Sequence, residues 1–252
     1  MQEMINQAAQ WLAGAHKAIV FSGAGVSTES GIPDFRSAGG LWTRYNPAEY
    51  GTLGAFLRDP QKVWGMLAEM EQVMNVKPNA GHLALARLER AGYVAGIVTQ
   101  NIDGLHQAAG NTNVVEYHGS NRTYSCLRCR VRFPRAEVQQ MPVPPRCPRL
   151  VEGSRCDTIL KPDVVFFDEA IPMQAVIGAD HLVRGADFVL VVGTSCEVYP
   201  AAEIPQQVRR QGGRVVEVNM ELARGLNSHL SLQGKFSQIV PAIAERVLAL
   251  RA

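Results

Sequence analysis

Short runs of β-branched and aromatic residues alternate along this chain with segments of helical periodicity, and that alternation limits the fold more than any other feature. The runs fall at residues 18–21, 93–98, 114–117, 164–167, 188–192 and 215–218. Apart from Glu116 and Glu217 they are apolar throughout, the pattern of strands covered on both faces and hence of a parallel sheet with helices on either side. Between them, residues 2–13 place Ile5, Ala8, Ala9 and Leu12 on one helical face, and residues 80–91 repeat Leu83, Leu85 and Leu88 with alanines between. The chain has 252 residues, 46% of them hydrophobic, which suits one large α/β domain with an appendage and excludes a disordered tail.

Two stretches break the alternation. Residues 41–79 hold Trp42, Tyr45, Trp64, Met66, Met70 and Met74, with Asp59-Pro60 as a helix start, and read as a helical insertion. Residues 119–160 hold Cys126, Cys129, Cys147 and Cys156 together with Pro134, Pro142, Pro144, Pro145 and Pro148. Such a composition cannot supply an ordinary core, and a metal would explain how it folds. Cys126-x2-Cys129 forms a knuckle, and Cys147-x8-Cys156 completes a set of four thiolates for a tetrahedral zinc ion. Four thiolates leave no open position for water, so this zinc is expected to be structural. Two disulfides, or unliganded core thiols, are the alternatives. The division that results is a sheet domain from 1–40, 80–118 and 161–252, with a small domain built of the 41–79 and 119–160 insertions.

An odd total of five cysteines and an acidic, amide-rich N-terminus argue against a secreted disulfide scaffold, so a cytoplasmic location is expected. The longest strongly apolar run, 188–192, is far short of the ~20 residues that span a bilayer. A formal charge of +2 gives no reason to expect nucleic acid or an anionic membrane as the primary partner. Charge is uneven locally, since arginines 122, 128, 130, 132, 135, 146, 149 and 155 lie in the cysteine insertion. They would either offset a tetrathiolate centre or dock an acidic partner.

Gly23-Ala24-Gly25-Val26-Ser27-Thr28-Glu29-Ser30-Gly31 follows a strand and can bring backbone N–H groups to a pyrophosphate, although Thr28 stands where the common dinucleotide fingerprint has its third glycine. The segment continues as Gly31-Ile32-Pro33-Asp34-Phe35-Arg36-Ser37. Later come Thr99-Gln100-Asn101-Ile102-Asp103-Gly104-Leu105-His106, then His118-Gly119-Ser120, and Gly193-Thr194-Ser195. In this order, around a four-cysteine insert, these motifs resemble the sirtuin family of NAD-dependent protein deacylases along nearly the whole chain. The resemblance implies a Rossmann-like NAD-binding domain and a small domain, with NAD and an acyl-lysine peptide meeting between them.

It also implies roles. Gly23, Ala24, Gly25, Ser27, Asp34, Phe35, Arg36, Gln100, Asn101, Ile102 and Asp103 would contact NAD, with Gly193, Thr194, Ser195, Asn219, Met220 and Phe236 on its adenosine side. Asn101 and Asp103 would face the nicotinamide carboxamide, and His118 would act as the base. The acyl oxygen would displace nicotinamide, and water would then release lysine and O-acyl-ADP-ribose. Val165, Phe166, Phe167 and Glu169 would form one wall of a groove in which the peptide adds as a strand, opposite Val198. The family usually has Phe-Gly-Glu where this chain has Phe167-Asp168-Glu169.

Sirtuins that prefer succinyl or malonyl groups carry a Tyr-x-x-Arg that pairs with the acyl carboxylate. The matching positions here are Leu67 and Met70, so the acyl group is expected to be acetyl or a short apolar chain such as propionyl or butyryl. His16, His82, His181 and His229 are expected to cap, pack or face solvent, His106 to pack or hydrogen-bond, and Cys196 to pack. A monomer is favoured. Mono-ADP-ribosyl transfer, silent NAD binding and nucleic-acid binding by the arginine-rich insert are the competing functions.

Overall fold

The computed structural model describes residues 1–35 and 39–250. Helix α1, Gln2–Ala13, buries its Ile5, Ala8, Ala9 and Leu12 stripe and leads into β1, Ala18–Ser22. After two single 3-10 turns come α2, Leu41–Arg44, α3, Pro47–Tyr50, α4, Leu53–Arg58, and α5, Pro60–Val73. Asp59 caps α5 by accepting from the Lys62 N–H at 3.0 Å, with Pro60 in the first turn where no N–H is missed. The chain continues through α6, Ala80–Arg90, β2, Gly96–Thr99, α7, Leu105–Ala108, and β3, Val114–Glu116. A second irregular stretch holds β4, Gly119–Cys126, β5, Arg132–Pro134, α8, Arg135–Val138, β6, Leu150–Val151, β7, Ser154–Arg155, and β8, Leu160–Val164. The C-terminal part is α9, Met173–Val183, β9, Phe188–Val192, α10, Glu203–Arg210, β10, Arg214–Asn219, β11, Leu230–Gln233, and α11, Phe236–Ala249.

Six strands form one parallel sheet in the order β11-β10-β9-β1-β2-β3. Successive residues of β1 show why its sequence is continuously apolar. Ala18 and Val20 enter a core with α1, α6 and α11, while Ile19 and Phe21 enter a second core, on the opposite face, with α9 and α10. A strand with water on neither side has no polar face to display.

The helical and cysteine insertions share a single core. Phe56 of α4 and Val63, Trp64 and Met66 of α5 pack with Tyr124, Phe133, Leu160 and the buried cysteines. Trp64 stacks on Tyr124 at 5.6 Å between centroids and donates its Nε1–H to the Leu160 carbonyl at 2.9 Å. Glu71 of α5 accepts from Tyr124 Oη at 2.5 Å and from Arg135 Nε at 2.8 Å. No helix among the described residues is long and apolar enough to cross a membrane.

One strand differs from the sequence expectation. The run at 164–167 is not a strand of the parallel sheet; β8 lies earlier, at Leu160–Val164, and pairs antiparallel with β4 in the small three-stranded sheet β5-β4-β8. Lys161, Pro162 and Asp163 disguise it, yet Lys161 is buried, its Nζ donating to the Val164 carbonyl at 2.8 Å and pairing with Glu169 at 2.9 Å. A boundary at 160/161 therefore falls inside a strand of the small sheet. Strand β11 has no counterpart in the sequence reading, because Leu230-Ser231-Leu232-Gln233 is too short and polar to stand out.

His82 and His106 are 0% and 1% exposed, and their rings pack with centroids 4.9 Å apart. Burial pushes the His82 pKa down to about 4 and holds His106 well below 6.5. Between those values the unfolded chain takes up protons that the folded chain refuses, so stability is complete above pH 6.5 and falls as pH drops toward 4. His82 alone should cost about 2 kcal/mol between pH 7 and pH 5. Urea unfolding at the two pH values measures this, and equal stability at both would contradict it.

Candidate active site

Strands β1 and β9 are neighbours in the sheet, yet the chain winds outward from them in opposite directions. Ligands bind in the crevice at such a switch point, beyond the strand carboxyl ends. Gly23 leaves β1 and donates its N–H to the Val192 carbonyl at 3.1 Å, and Gly25 N–H donates to the Gly193 carbonyl at 2.9 Å. The two backbones leave no room for side chains. A Cβ on Gly25 would lie 2.9 Å from Gly193 Cα, and one on Gly193, whose φ is +60°, would lie 2.4 Å from the Val26 nitrogen.

From this crevice a cleft of ≈ 810 Å³ extends to the small domain. It brings together Gly23, Ala24, Gly25, Ser27, Asp34, Phe35, Gln100, Asn101, Ile102, Asp103, His118, Gly193, Thr194, Ser195, Asn219, Met220 and Phe236. Leu67, Met70, Val165, Phe166, Phe167, Glu169 and Val198 line the same space. Arg36 lies outside the described residues.

At its inner end the polar groups are mutually fixed. Asn101 Nδ2 donates to the Gly23 carbonyl and to Ser27 Oγ, both at 3.1 Å, and Ser27 Oγ donates to Asp103 Oδ2 at 2.7 Å. The other Asp103 oxygen accepts the Leu105 N–H at 2.9 Å. Burial raises the Asp103 pKa, against the lowering pull of these hydrogen bonds. Beneath them, Ser22 Oγ donates to Thr99 Oγ1 at 2.8 Å and lies 2.9 Å from His106 Nε2, so His106 packs and hydrogen-bonds under the site.

His118 stands at the mouth of this end. Burial lowers its pKa below 6.5, and a hydrogen bond to the Gln100 backbone opposes the shift. The ring is therefore neutral at pH 7 and able to accept a proton. Gln100 itself donates to Thr194 Oγ1 at 2.9 Å, tying the ends of β2 and β9.

Along the 165–167 segment, Val165 N–H donates to the His118 carbonyl and Phe167 N–H to the Gly51 carbonyl, both at 2.8 Å, while the Phe167 carbonyl accepts from the Leu53 N–H at 3.0 Å. This wall is already hydrogen-bonded on its inner edge. Asp168 holds φ at +65°, the left-handed region that favours glycine, so the chain keeps a glycine-like backbone at the position where the family pattern has glycine. Trp42, which carried no periodic signal in the sequence, lies between Phe35 and Phe167 at centroid distances of 5.5 and 6.3 Å and completes an aromatic wall.

The four clustered cysteines converge away from the cleft. Cys126 and Cys156 Sγ are 3.5 Å apart, as are Cys129 and Cys147 Sγ, and all four lie within 4.8 Å of one another. Zinc–sulfur bonds of about 2.3 Å place tetrahedral ligands about 3.8 Å apart, so the set fits one ion. All four are free thiols and not disulfides. Cys196 is buried, with its thiol pushed up to about 12 by burial, which suits packing and not nucleophilic attack.

Comparison with known proteins identifies the family. Residues 23–200 match the Sir2 family. The NAD-dependent protein deacylase 2 of Pyrobaculum aerophilum is 44% identical over 242 residues, covering 95% of this chain and 94% of that one. Among solved structures, a Sir2 homolog in complex with NAD superimposes with a TM-score of 0.85 at 37% identity, covering 98% and 94% of the two chains. Sir2Af2 bound to a myristoylated histone peptide superimposes at 0.84 with 33% identity, over 100% and 99%. The chain belongs to the Sir2 family.

If His118 is the proton acceptor, its lowered pKa sets the acid limb of the rate profile. The midpoint of kcat/KM on the acid side should lie below pH 6.5, because the neutral form persists as pH falls through the unperturbed value. A midpoint at or above 6.5 would contradict the assignment.

Proposed function

We propose that this protein is an NAD-dependent protein-lysine deacylase that removes acetyl or short apolar acyl groups. The observation that carries the reading is the single cleft joining the glycine turns of β1 and β9, a neutral His118 and the aromatic wall of Phe35, Trp42 and Phe167. NAD, when bound, supplies a ribosyl electrophile with nicotinamide as its leaving group. In this reading the glycine turns take the pyrophosphate, and the Ser27–Asn101–Asp103 cluster is the polar end against which a carboxamide rests. His118 accepts a ribose hydroxyl proton, and Phe35 with Trp42 keeps bulk water from the reacting carbon.

Leu67 and Met70 line both the cleft and a cavity of ≈ 30 Å³ behind it, whose other walls include Met74, Ile102, Tyr124 and Val164. This end offers an apolar acyl chain dispersion contacts, and the small cavity has no lysine or arginine among its described lining residues, while Arg44 of the wider cleft is paired with Glu69. The peptide passes between Phe167–Glu169 and Val198. In this reading the protein acts as a monomer. Cys126, Cys129, Cys147 and Cys156 hold structural zinc as thiolates, and a set of cysteines kept for a metal and not for disulfides suits a reducing cytoplasm.

An acyl-peptide panel with NAD, read by mass spectrometry of O-acyl-ADP-ribose, tests the reading. Acetyl- to butyryl-lysine should be turned over with kcat/KM at least about tenfold above succinyl-lysine, since an unpaired carboxylate would be left in the apolar end. Comparable rates would refute the specificity, and modified protein in place of O-acyl-ADP-ribose would refute the deacylase. His118→Ala should lower kcat roughly 10²–10⁴-fold with ADP-ribose affinity nearly unchanged; near-normal turnover would remove His118 from the mechanism. Cys147→Ser should lose zinc by metal analysis together with thermal stability, whereas a stable, active, zinc-free chain would show that the metal is dispensable.

A further inference from the structure

Behind the adenosine end of the cleft lies a carboxyl group that the reading above leaves unused. Glu217, in β10, is 1% exposed. Its Oε1 accepts from Asn219 Nδ2 at 2.7 Å and from the Ala223 N–H at 2.6 Å. Its Oε2 accepts from Ser231 Oγ at 3.2 Å and Ser228 Oγ at 3.5 Å. A buried carboxyl group is expensive, and a leucine would fill β10 at less desolvation cost.

The bonds show what the carboxyl group does. Asn219 grips Thr194 with both ends of its amide: Thr194 N–H donates to Asn219 Oδ1 at 2.9 Å, and Asn219 Nδ2 donates to the Thr194 carbonyl at 3.0 Å. That amide is oriented by Glu217, which takes the second proton of Nδ2. The same oxygen, through Ala223, anchors the loop at 220–223, and Met220, Glu221 and Leu222 of this loop line the cleft. One buried oxygen thus fixes two walls of the nucleotide end, while the second holds that loop's return into β11 through Ser228 and Ser231. Glu217, Asn219, Ala223, Ser228 and Ser231 make no bond to His118 or to the Ser27–Asn101–Asp103 cluster; the path to His118 is indirect, through Thr194 and Gln100.

We propose that Glu217 is a positioning residue for the adenosine half of NAD, acting through Asn219 and the 220–223 loop; this rests on the cleft being the NAD site. Glu217→Leu should raise the Kd for ADP-ribose and the KM for NAD tenfold or more, with kcat within threefold and the KM for acyl peptide unchanged. Glu217→Gln should stay within threefold of the parent chain, because its amide oxygen can take the Asn219 and Ala223 protons and its NH2 can meet serine hydroxyls that turn to accept. Glu217→Asp keeps the carboxyl group but is one methylene too short to hold Asn219 and Ala223 together, and should raise the KM for NAD at least threefold. It carries the test if the leucine variant does not fold. An unchanged KM for NAD in the folded Leu or Asp variant would overturn the proposal. So would a Gln variant as impaired as Leu, or a loss shared equally by kcat and both KM values. Calorimetry with ADP-ribose separates the two levels: no binding to the unaltered chain refutes the NAD cleft itself, whereas binding that Leu and Asp leave undisturbed refutes only the role of Glu217.

Discussion

The close approach of two backbones at the carboxyl ends of β1 and β9 is the constraint on which the rest depends. Gly25 bonded to the Gly193 carbonyl brings both turns together at the one place in the sheet where the winding reverses. Everything polar at the inner end hangs from this pair. Asn101 bonds the Gly23 carbonyl, Gln100 bonds Thr194 beside Gly193, and Asn219 grips the Thr194 backbone. The inner end of the cleft is therefore cross-linked to the sheet beneath it, the condition under which aligned donors stabilise charge with little reorganisation.

The small domain solves a different problem. Neither insertion has enough apolar surface alone, and the cysteine-bearing one is rich in proline. Trp64 resolves this by reaching from α5 to the Leu160 carbonyl and stacking on Tyr124, so that helices, small sheet and metal site close one core. The wall carrying Leu67 and Met70 is in this way built on the same core as the four cysteines.

Much of this was legible in the residues. Burial on both faces wrote β1, β9 and β10 as apolar runs, and the α1 and α6 stripes appeared at helical spacing. The residues that the resemblance assigns to NAD and peptide line the one cleft, with Arg36 outside the described residues. What escaped notice did so for physical reasons. β8 contains Lys161, whose charge is satisfied by carbonyls and Glu169 and so gives no sign of burial in sequence. Glu217 sits among valines, and the donors that satisfy it come from Asn219, from a loop and from β11, so nothing in its local sequence announces its role. Trp42 belongs to a single-turn helix, where no periodicity can reveal which way it faces. In each case the partner lies far along the chain or in irregular structure, beyond the reach of local pattern.

The two bodies are also threaded through one another. The chain enters the small domain before α2 and leaves it after α5, then enters again at Gly119 and returns after β8. With four crossings in place of one linker, neither body is a contiguous piece that could be trimmed away, and severing any single crossing leaves three others in place. Ile32, Met74 and Leu105 form a small apolar seam beside these crossings. Any opening of the cleft must bend several chain segments together, which favours a narrow swing about a common axis over free tumbling of one half against the other.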